Sequence, residues 1–304
     1  MKVLIVGLGS IAKKHIKALH GQGIKDIYAL RSSRDSLPNE NVIDIYSLKE
    51  IENHDFDFFL ISNITSKHSE IIEQLLFFDR PLFIEKPVFG EVNSMNSALV
   101  KRISNLNVPT YVGCSLRFLD CLIEIKNLTK GSIINEVNVY SGSYLPDWRP
   151  NSDFRKSYSA NKELGGGVHI DLIHELDYVY WIFGEPEATK SAFSAKSSLG
   201  IDAYDYAHYL WEYKSFNASV ILNYYRRDSK RTLEVVTSER TYLVDLLHNK
   251  IFQDSKEIYS SQQRIIDTLD AQMEFFLNNV LTNKITSFNS IDEAYKILEL
   301  CLQD

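Results

Sequence analysis

Residues 2–12 read KVLIVGLGSIA. The run from Val3 to Val6 is continuously apolar, as in a strand buried on both faces of a parallel sheet. It passes at once into Gly7-Leu8-Gly9-Ser10-Ile11-Ala12, a G-x-G-x-x-A turn. In such a turn the first glycine permits the tight bend and the second lets a pyrophosphate approach the backbone. The small third residue lets helix and strand pack closely. A helix expected over 10–21 then offers its free N–H groups to phosphate. The stretch predicts a dinucleotide on the first helix; a glycine turn that serves packing alone is the plainer alternative.

Working outward, the same alternation recurs. Strands are expected at 26–32, 55–63, 81–87 and 109–118, with helices at 66–78 and 94–106 between them. Regular strand–helix alternation predicts a doubly wound α/β sheet. Beyond about residue 120 the pattern changes. A helix at 121–130 and a strand at 134–144 precede a long polar and aromatic loop from Leu145 to Leu164. A helix is expected over 165–184, closed by Gly184. From Ala188 to Phe252 the chain reads as successive strands. A last helix begins at Ser290, with Glu293 completing a capping box. The expected fold is α/β: an N-terminal Rossmann doubly wound parallel sheet over 1–118, then a C-terminal α/β domain over 119–289 with a large, mostly antiparallel open sheet. A helix over 290–304 is expected to pack back on the first domain.

Composition narrows the function. The 304 residues carry a net charge of −7, and 44% are hydrophobic, enough to build a sizeable core. An acidic chain whose one dense basic cluster is Arg226–Arg231 is not expected to bind nucleic acid. No apolar stretch is long enough to cross a membrane, and the first apolar run, ended by a glycine, is too short for a secretory core. Cys114, Cys121 and Cys301 are odd in number and fit no metal spacing, so a reducing compartment and a cytoplasmic location are expected, with no metal site.

The second strand bears on the choice of dinucleotide. An acid at its end would hold the ribose 2′-hydroxyl of NAD. Here the strand runs into Arg31-Ser32-Ser33-Arg34, and Asp35 comes four residues past Arg31. Two guanidinium forks and two hydroxyls suit a 2′-phosphate. NADP is therefore expected, with NAD as second choice and a tolerant solvated loop as the alternative.

Several motifs follow in a fixed order: G-x-G-x-x-A with His15 three residues on, ISNITSKH (61–68), IEKP (84–87), LRF (116–118) and GGGVHIDLIHELD (165–177). Together they resemble the Gfo/Idh/MocA oxidoreductase family, the glucose–fructose oxidoreductase and inositol dehydrogenase relatives. The resemblance runs by motif from residue 1 to about 184. The segment SGSYLPDWRPNSDFRKSYSA is similar to a bacterial subgroup associated with sugar and surface-polysaccharide metabolism. The resemblance implies hydride transfer between C4 of NAD(P) and a hydroxyl-bearing carbon of a sugar or cyclitol, and a homodimer or homotetramer.

Residue roles follow from the resemblance and from chemistry together. The lysine of E-K-P corresponds to Lys86, at a strand end where α/β sheets bind ligands and where partial desolvation suits a lysine to acid–base work. Its bond to Pro87 is a candidate cis peptide. His174 follows the glycines 165–167, which permit close cofactor approach. Asp171 and Tyr178, three before and four after it, would share its helix face. An imidazole there can take the proton of a substrate hydroxyl, with Asp171 orienting it. Many relatives carry the acid four residues before the histidine, where this chain has Ile170. His169 flanks the site, and Asp177 and Glu175 are read as structural or solvent-facing.

The expected cofactor residues are Gly7, Gly9, Ser10, Ile11, Ala12, Arg31, Ser32, Ser33, Arg34, Asn63, Thr65, His68, Glu85 and Lys86. His68 has helix packing as an equal alternative, and His15 is read as a packing or supporting residue. The expected substrate residues are Arg117, Trp148, Arg155, Tyr158, Asp171 and His174. For Arg117 the competing duty is a salt bridge. Aromatic faces suit sugar rings and arginines suit anions, so the loop that also carries Arg149 and Asp153 is a candidate lid for a uronic acid or nucleotide sugar. The tyrosines and phenylalanines of 204–225 are read as sheet core. Two other functions fit the same motifs. A redox-assisted glycosidase would hydrolyse without net change in nicotinamide absorbance. A non-catalytic nicotinamide sensor would bind NADPH without turnover.

Overall fold

The computed structural model describes residues 1–34, 41–285 and 287–303. Asp35 lies outside them. The chain forms two compact units, one of Met1–Ser115 with Leu269–Leu298 and the other of Leu116–Thr268 with Glu299–Asp304.

The first unit holds β1 (Lys2–Val6), α1 (Ser10–Gly21), β2 (Asp26–Leu30), β3 (Ile43–Ile45), α2 (Leu48–Ile51), β4 (Phe58–Ile61), α3 (His68–Leu75), β5 (Leu82–Glu85), α4 (Ser94–Leu106) and β6 (Thr110–Gly113). All five strand pairings are parallel, in the order β3-β2-β1-β4-β5-β6. The strand order reverses between β1 and β4, and ligands of such sheets bind at that point. The strands read as apolar runs because helices cover both faces of the sheet. Phe58, Phe59, Leu60 and Ile61 are all within 1% of full burial, and each such side chain contributes about 1.5–3 kcal/mol. Helix α1 buries Ala12, His15, Ile16, Ala18 and Leu19, one face at helical spacing.

β3 was not expected. Three residues carry too little alternation to mark a strand. The domain boundary also differs. The segment Leu269–Leu298 joins the first unit, although as far as 289 it is expected in the second domain. The physical reason is specific. Asn289 donates from Nδ2 to the carbonyl of Val112 at 2.5 Å and accepts from its N–H at 2.8 Å. Phe276 packs edge-on to Phe58 and Phe83. Half of the capping box expected at Ser290 forms, with Ser290 Oγ accepting from the N–H of Glu293 at 3.5 Å; the Glu293 carboxylate accepts from the N–H of Asn289, one residue earlier than expected, at 2.7 Å.

The second unit holds α5 (Asp120–Leu128), β7 (Ile134–Tyr144), α6 (Val168–Asp171), α7 (Ile173–Phe183), β8 (Ala188–Ser194), β9 (Tyr206–Glu212), β10 (Asn217–Asn223), β11 (Tyr225–Thr237), β12 (Thr241–Asp245), β13 (Lys250–Gln253) and β14 (Lys256–Ser260). Its eight strands lie in the order β14-β13-β12-β11-β7-β10-β9-β8. Only the β7–β10 pairing is parallel. Alternation is plain in β9, where Ala207, Tyr209 and Trp211 are fully buried and the residues between them are not, as expected for a sheet packed on one face. The helix expected over 165–184 is two helices. It starts at Val168 and breaks at Leu172, whose backbone leaves the helical region at φ −101°, ψ 26°. Two further helices, α8 (Thr268–Phe275) and α9 (Ile291–Leu302), close the chain. Among the described residues no helix is long and apolar enough to cross a membrane.

Candidate functional site

The turn after β1 has the geometry its glycines require. Gly7 sits at φ +82°, and a Cβ there would lie 2.6 Å from the Cα of Asn63, so the residue after β4 presses on the turn and excludes any side chain. Gly9 caps α1 with ordinary extended dihedrals, and a Cβ there would meet nothing within 4 Å. That open space lies where α1 presents its free N–H groups. Ala12 is fully buried, as helix–strand packing demands.

A cleft of about 910 Å³ opens over this turn at the reversal of strand order. Of the expected cofactor residues, Gly7, Gly9, Ser10, Ile11, Arg31, Ser32 and Asn63 line it. Ala12, Ser33, Arg34, Thr65, His68, Glu85 and Lys86 are not among its lining residues. Tyr46, Ser47, Lys67 and Gln74 line it as well and were missed. The first two follow the short strand β3, so the signal that places them was lost with that strand. The turn and cleft fit a dinucleotide, with room at Gly9 for a pyrophosphate and hydroxyls and a guanidinium at the β2 end.

Arg31 is not a bare cation. Its Nη1 donates to both carboxylate oxygens of Asp44 at 3.0 Å, with both side chains largely buried. Arg34 lies over the ring of Tyr46 at 4.5 Å. The acid absent from the end of β2 is thus supplied from β3, and it offsets the charge expected to favour a 2′-phosphate.

His68 is fully buried. Its two ring nitrogens face the carbonyls of Val88 at 3.1 Å and Asn63 at 3.3 Å, so it ties chain segments together and, of its two expected duties, has the packing one. Burial pushes its pKa down, partly offset by those carbonyls. Glu85, the last residue of β5, bonds through Oε1 to Nε2 of His15 at 2.5 Å. Lys86 follows at the carboxyl end of β5, half-buried, on a cis peptide bond to Pro87.

In the second unit, the break at Leu172 separates Asp171 from the helix that carries His174 and Tyr178. The three do not share one continuous helix face. Asp171 is instead held from the sheet, accepting the phenolic hydrogen of Tyr224 at 2.5 Å. Tyr224 is fully buried, and its pKa is raised well above 10 by burial first and then by the charge of Asp171. Tyr224 is one of the tyrosines of 204–225 expected in the core, and it is buried there while bonding Asp171.

The glycines before His174 serve the chain itself. A Cβ on Gly166 would lie 1.9 Å from the carbonyl oxygen of Tyr158, and one on Gly167, at φ +139°, 2.6 Å from the ring of His169. These close approaches are to the protein's own chain, at the loop residue Tyr158 and at His169 on α6.

Arg117 is 1% exposed and forks onto Asp177 at 2.9 and 2.7 Å. Of its two expected duties the structure records the salt bridge, because a buried guanidinium requires a paired carboxylate. Glu175 is likewise fully buried and accepts from Arg231 at 2.5 Å, so neither acid faces solvent. In the candidate lid, Trp148 donates to Ser143 Oγ at 2.9 Å and stands edge-on to Tyr224. Tyr158 donates to the carbonyl of Gly165 at 2.8 Å. Arg155 is exposed and lies over Phe154. Among the described residues no group of three or more histidines, cysteines or acids is placed to hold a metal ion.

A parallel sheet ordered 3-2-1-4-5-6, with a glycine turn and cleft at its switch point, defines a dinucleotide-binding domain. Residues 1–113 match the oxidoreductase family described by its NAD-binding Rossmann fold. Residues 122–243 match the GFO/IDH/MocA C-terminal domain. The chain belongs to the Gfo/Idh/MocA oxidoreductase family. It is 24% identical over 211 residues to inositol 2-dehydrogenase of Rhizobium meliloti (strain 1021), a match covering 66% of this chain and 61% of that protein's length. Its fold is similar to UDP-N-acetylglucosamine 3-dehydrogenase from Acidithiobacillus ferrooxidans, at TM-score 0.79 and 18% identity, covering 100% and 96% of the two chains. It is also similar to myo-inositol 2-dehydrogenase from Lactobacillus plantarum, at TM-score 0.79 and 21% identity, covering 99% and 95%.

Proposed function

We propose that the protein is a nicotinamide-dependent oxidoreductase that moves a hydride to or from a hydroxyl- or ketone-bearing carbon of a sugar-derived substrate, with a nucleotide sugar or uronic acid as the favoured class. The carrying observation is the 910 Å³ cleft over the Gly7–Ile11 turn, at the point where strand order reverses. Support for the substrate class comes from relatives named as dehydrogenases of inositol and of a nucleotide sugar. NADP remains the favoured form, supported by Arg31 and Ser32 on the cleft wall. Asp44 tempers that preference.

When bound, the nicotinamide supplies or accepts the hydride. The chain's part is the proton. His174 takes the hydroxyl proton as the same carbon gives up its hydride, and returns it in the reverse direction. Asp171 stabilises the imidazolium that results. Lys86 serves as the second proton-handling group, at the strand end where ligands of such sheets bind.

The test is Lys86→Ala. Turnover on a sugar and nucleotide-sugar panel is expected to vanish, while NADPH binding, read by fluorescence titration, persists. Unchanged turnover would overturn the assignment. In a thermal-shift comparison NADP is expected to raise the melting temperature more than NAD, since a ligand that binds the native state stabilises it.

A further inference from the structure

His15 sits on the buried face of α1, with 0% exposure. Its Nε2 meets Oε1 of Glu85 at 2.5 Å, and among the described residues its Nδ1 has no hydrogen-bond partner. Among those residues the carboxylate is therefore the ring's single hydrogen-bond partner. Phe83 stands edge-on to the imidazole at 5.0 Å. The slot is closed from β6, where a Cβ on Gly113 would lie 3.0 Å from the same Oε1. A glycine there leaves space that the carboxylate and the edge of the Phe83 ring fill.

Burying a histidine and a glutamate together costs solvation that an apolar pair would not. The pair also has a direction. The imidazole has no exposed surface, whereas the Glu85 side chain keeps 11%. Glu85 is the last residue of β5, and Lys86 follows it. In the strand order β2-β1-β4-β5, Arg31 and Ser32 mark the adenosine end at β2, and the Gly7 turn marks the pyrophosphate at β1. Strands lie about 4.8 Å apart. The other half of a dinucleotide must then run toward β4 and β5, so Glu85 ends at the nicotinamide side.

We propose that His15 is a positioning residue that acts through Glu85, holding its carboxylate at the end of β5 to accept a hydrogen bond from the nicotinamide half of the cofactor. This rests on the nicotinamide-dinucleotide reading above. His15 itself touches neither cofactor nor substrate.

The experiment titrates wild type, His15→Leu, His15→Gln and Glu85→Gln with NADPH and NADH by fluorescence. His15→Leu is expected to raise the dissociation constant about 10-fold, the scale of one hydrogen bond to a charged group. His15→Gln keeps a donor near Nε2 and is expected to recover most of that loss. A side chain that merely packs would favour the leucine over the glutamine, so the order of the two variants separates positioning from packing. Wild-type affinity in His15→Leu overturns the proposal. Where His15→Leu does not fold, Glu85→Gln decides. It keeps the shape and removes the charge, and an unchanged dissociation constant again overturns the proposal. Wild type that binds neither NADPH nor NADH overturns the dinucleotide reading itself, and this proposal with it.

Discussion

Tyr224 donates its phenolic hydrogen to Oδ2 of Asp171 at 2.5 Å. The donor is fully buried, and burial keeps it protonated far above pH 10. It therefore gives Asp171 a hydrogen bond at every working pH, from the buried bend between β10 and β11. Tyr224→Phe keeps the ring and its packing against Trp148 but removes this bond to the carboxylate. A hydrogen bond to a charged group contributes about 1.5–3 kcal/mol, and part of that loss appears in the barrier. The expected result is kcat lowered about 10-fold with NADPH affinity unchanged, read by steady-state kinetics and fluorescence titration. An unchanged kcat would assign this bond to folding alone.

The two glycines of the turn should fail in different ways when replaced. Alanine at Gly7 must adopt φ +82° and push its Cβ into the backbone of Asn63. Such strain costs about 1–3 kcal/mol, so Gly7→Ala is expected to lower the melting temperature. Alanine at Gly9 meets open space and should leave the melting temperature near wild type. Its methyl group stands where the pyrophosphate approaches, so NADPH binding should weaken at least about 10-fold, the equivalent of about 1.4 kcal/mol. A Gly9→Ala protein that binds NADPH normally would remove the pyrophosphate from that helix end.

The first unit was legible because its signals are local. Apart from β3, the parallel strands read as apolar runs, and the glycine turn joins one run to one helix. What was lost is what depends on contacts distant in sequence. Asp44 reaches Arg31 from a strand too short to show a period. Leu269–Leu298 joins the first unit through Asn289 and Phe276, whose partners lie more than 150 residues earlier. The pairing of Arg117 with Asp177 was one of two open duties, since burial decides between a ligand-binding and a structural arginine and periodicity does not report it. The helix break at Leu172 left no mark either, because an apolar run with i, i+3 and i, i+4 neighbours reads the same in one helix or two.

His68 carries a pH dependence whose sign is determined. Its folded-state pKa is depressed, with burial the largest cause. The unfolded chain takes up a proton below about pH 6.5 and the folded chain does not. The unfolded state then binds more protons, so stability rises with pH through this window and is lost as pH falls below about 6.5. One such group contributes at most about 1.4 kcal/mol per pH unit. His68→Asn lacks the group. It is expected to be less stable at pH 7.5, having lost the ties to Val88 and Asn63, but to lose less on moving to pH 5.5. Urea titrations of both proteins at the two pH values measure the difference. Parallel losses would mean that His68 ionises normally in the folded protein.

The Arg117–Asp177 fork, with both side chains at 1% exposure, sets up an asymmetry between single and double replacement. Removing one member leaves a buried charge without its partner, which costs about 3–5 kcal/mol. Arg117→Met and Asp177→Leu are each expected to destabilise by that amount in denaturant titrations. The double variant replaces both charges by apolar groups of similar volume and should recover most of the loss, since the desolvation of the pair disappears with it. If Arg117 has a duty in substrate binding, the stable double variant separates it from folding, as its KM rises while its stability returns. The expected result is stability restored and KM within about 2-fold of wild type, a change below about 0.4 kcal/mol.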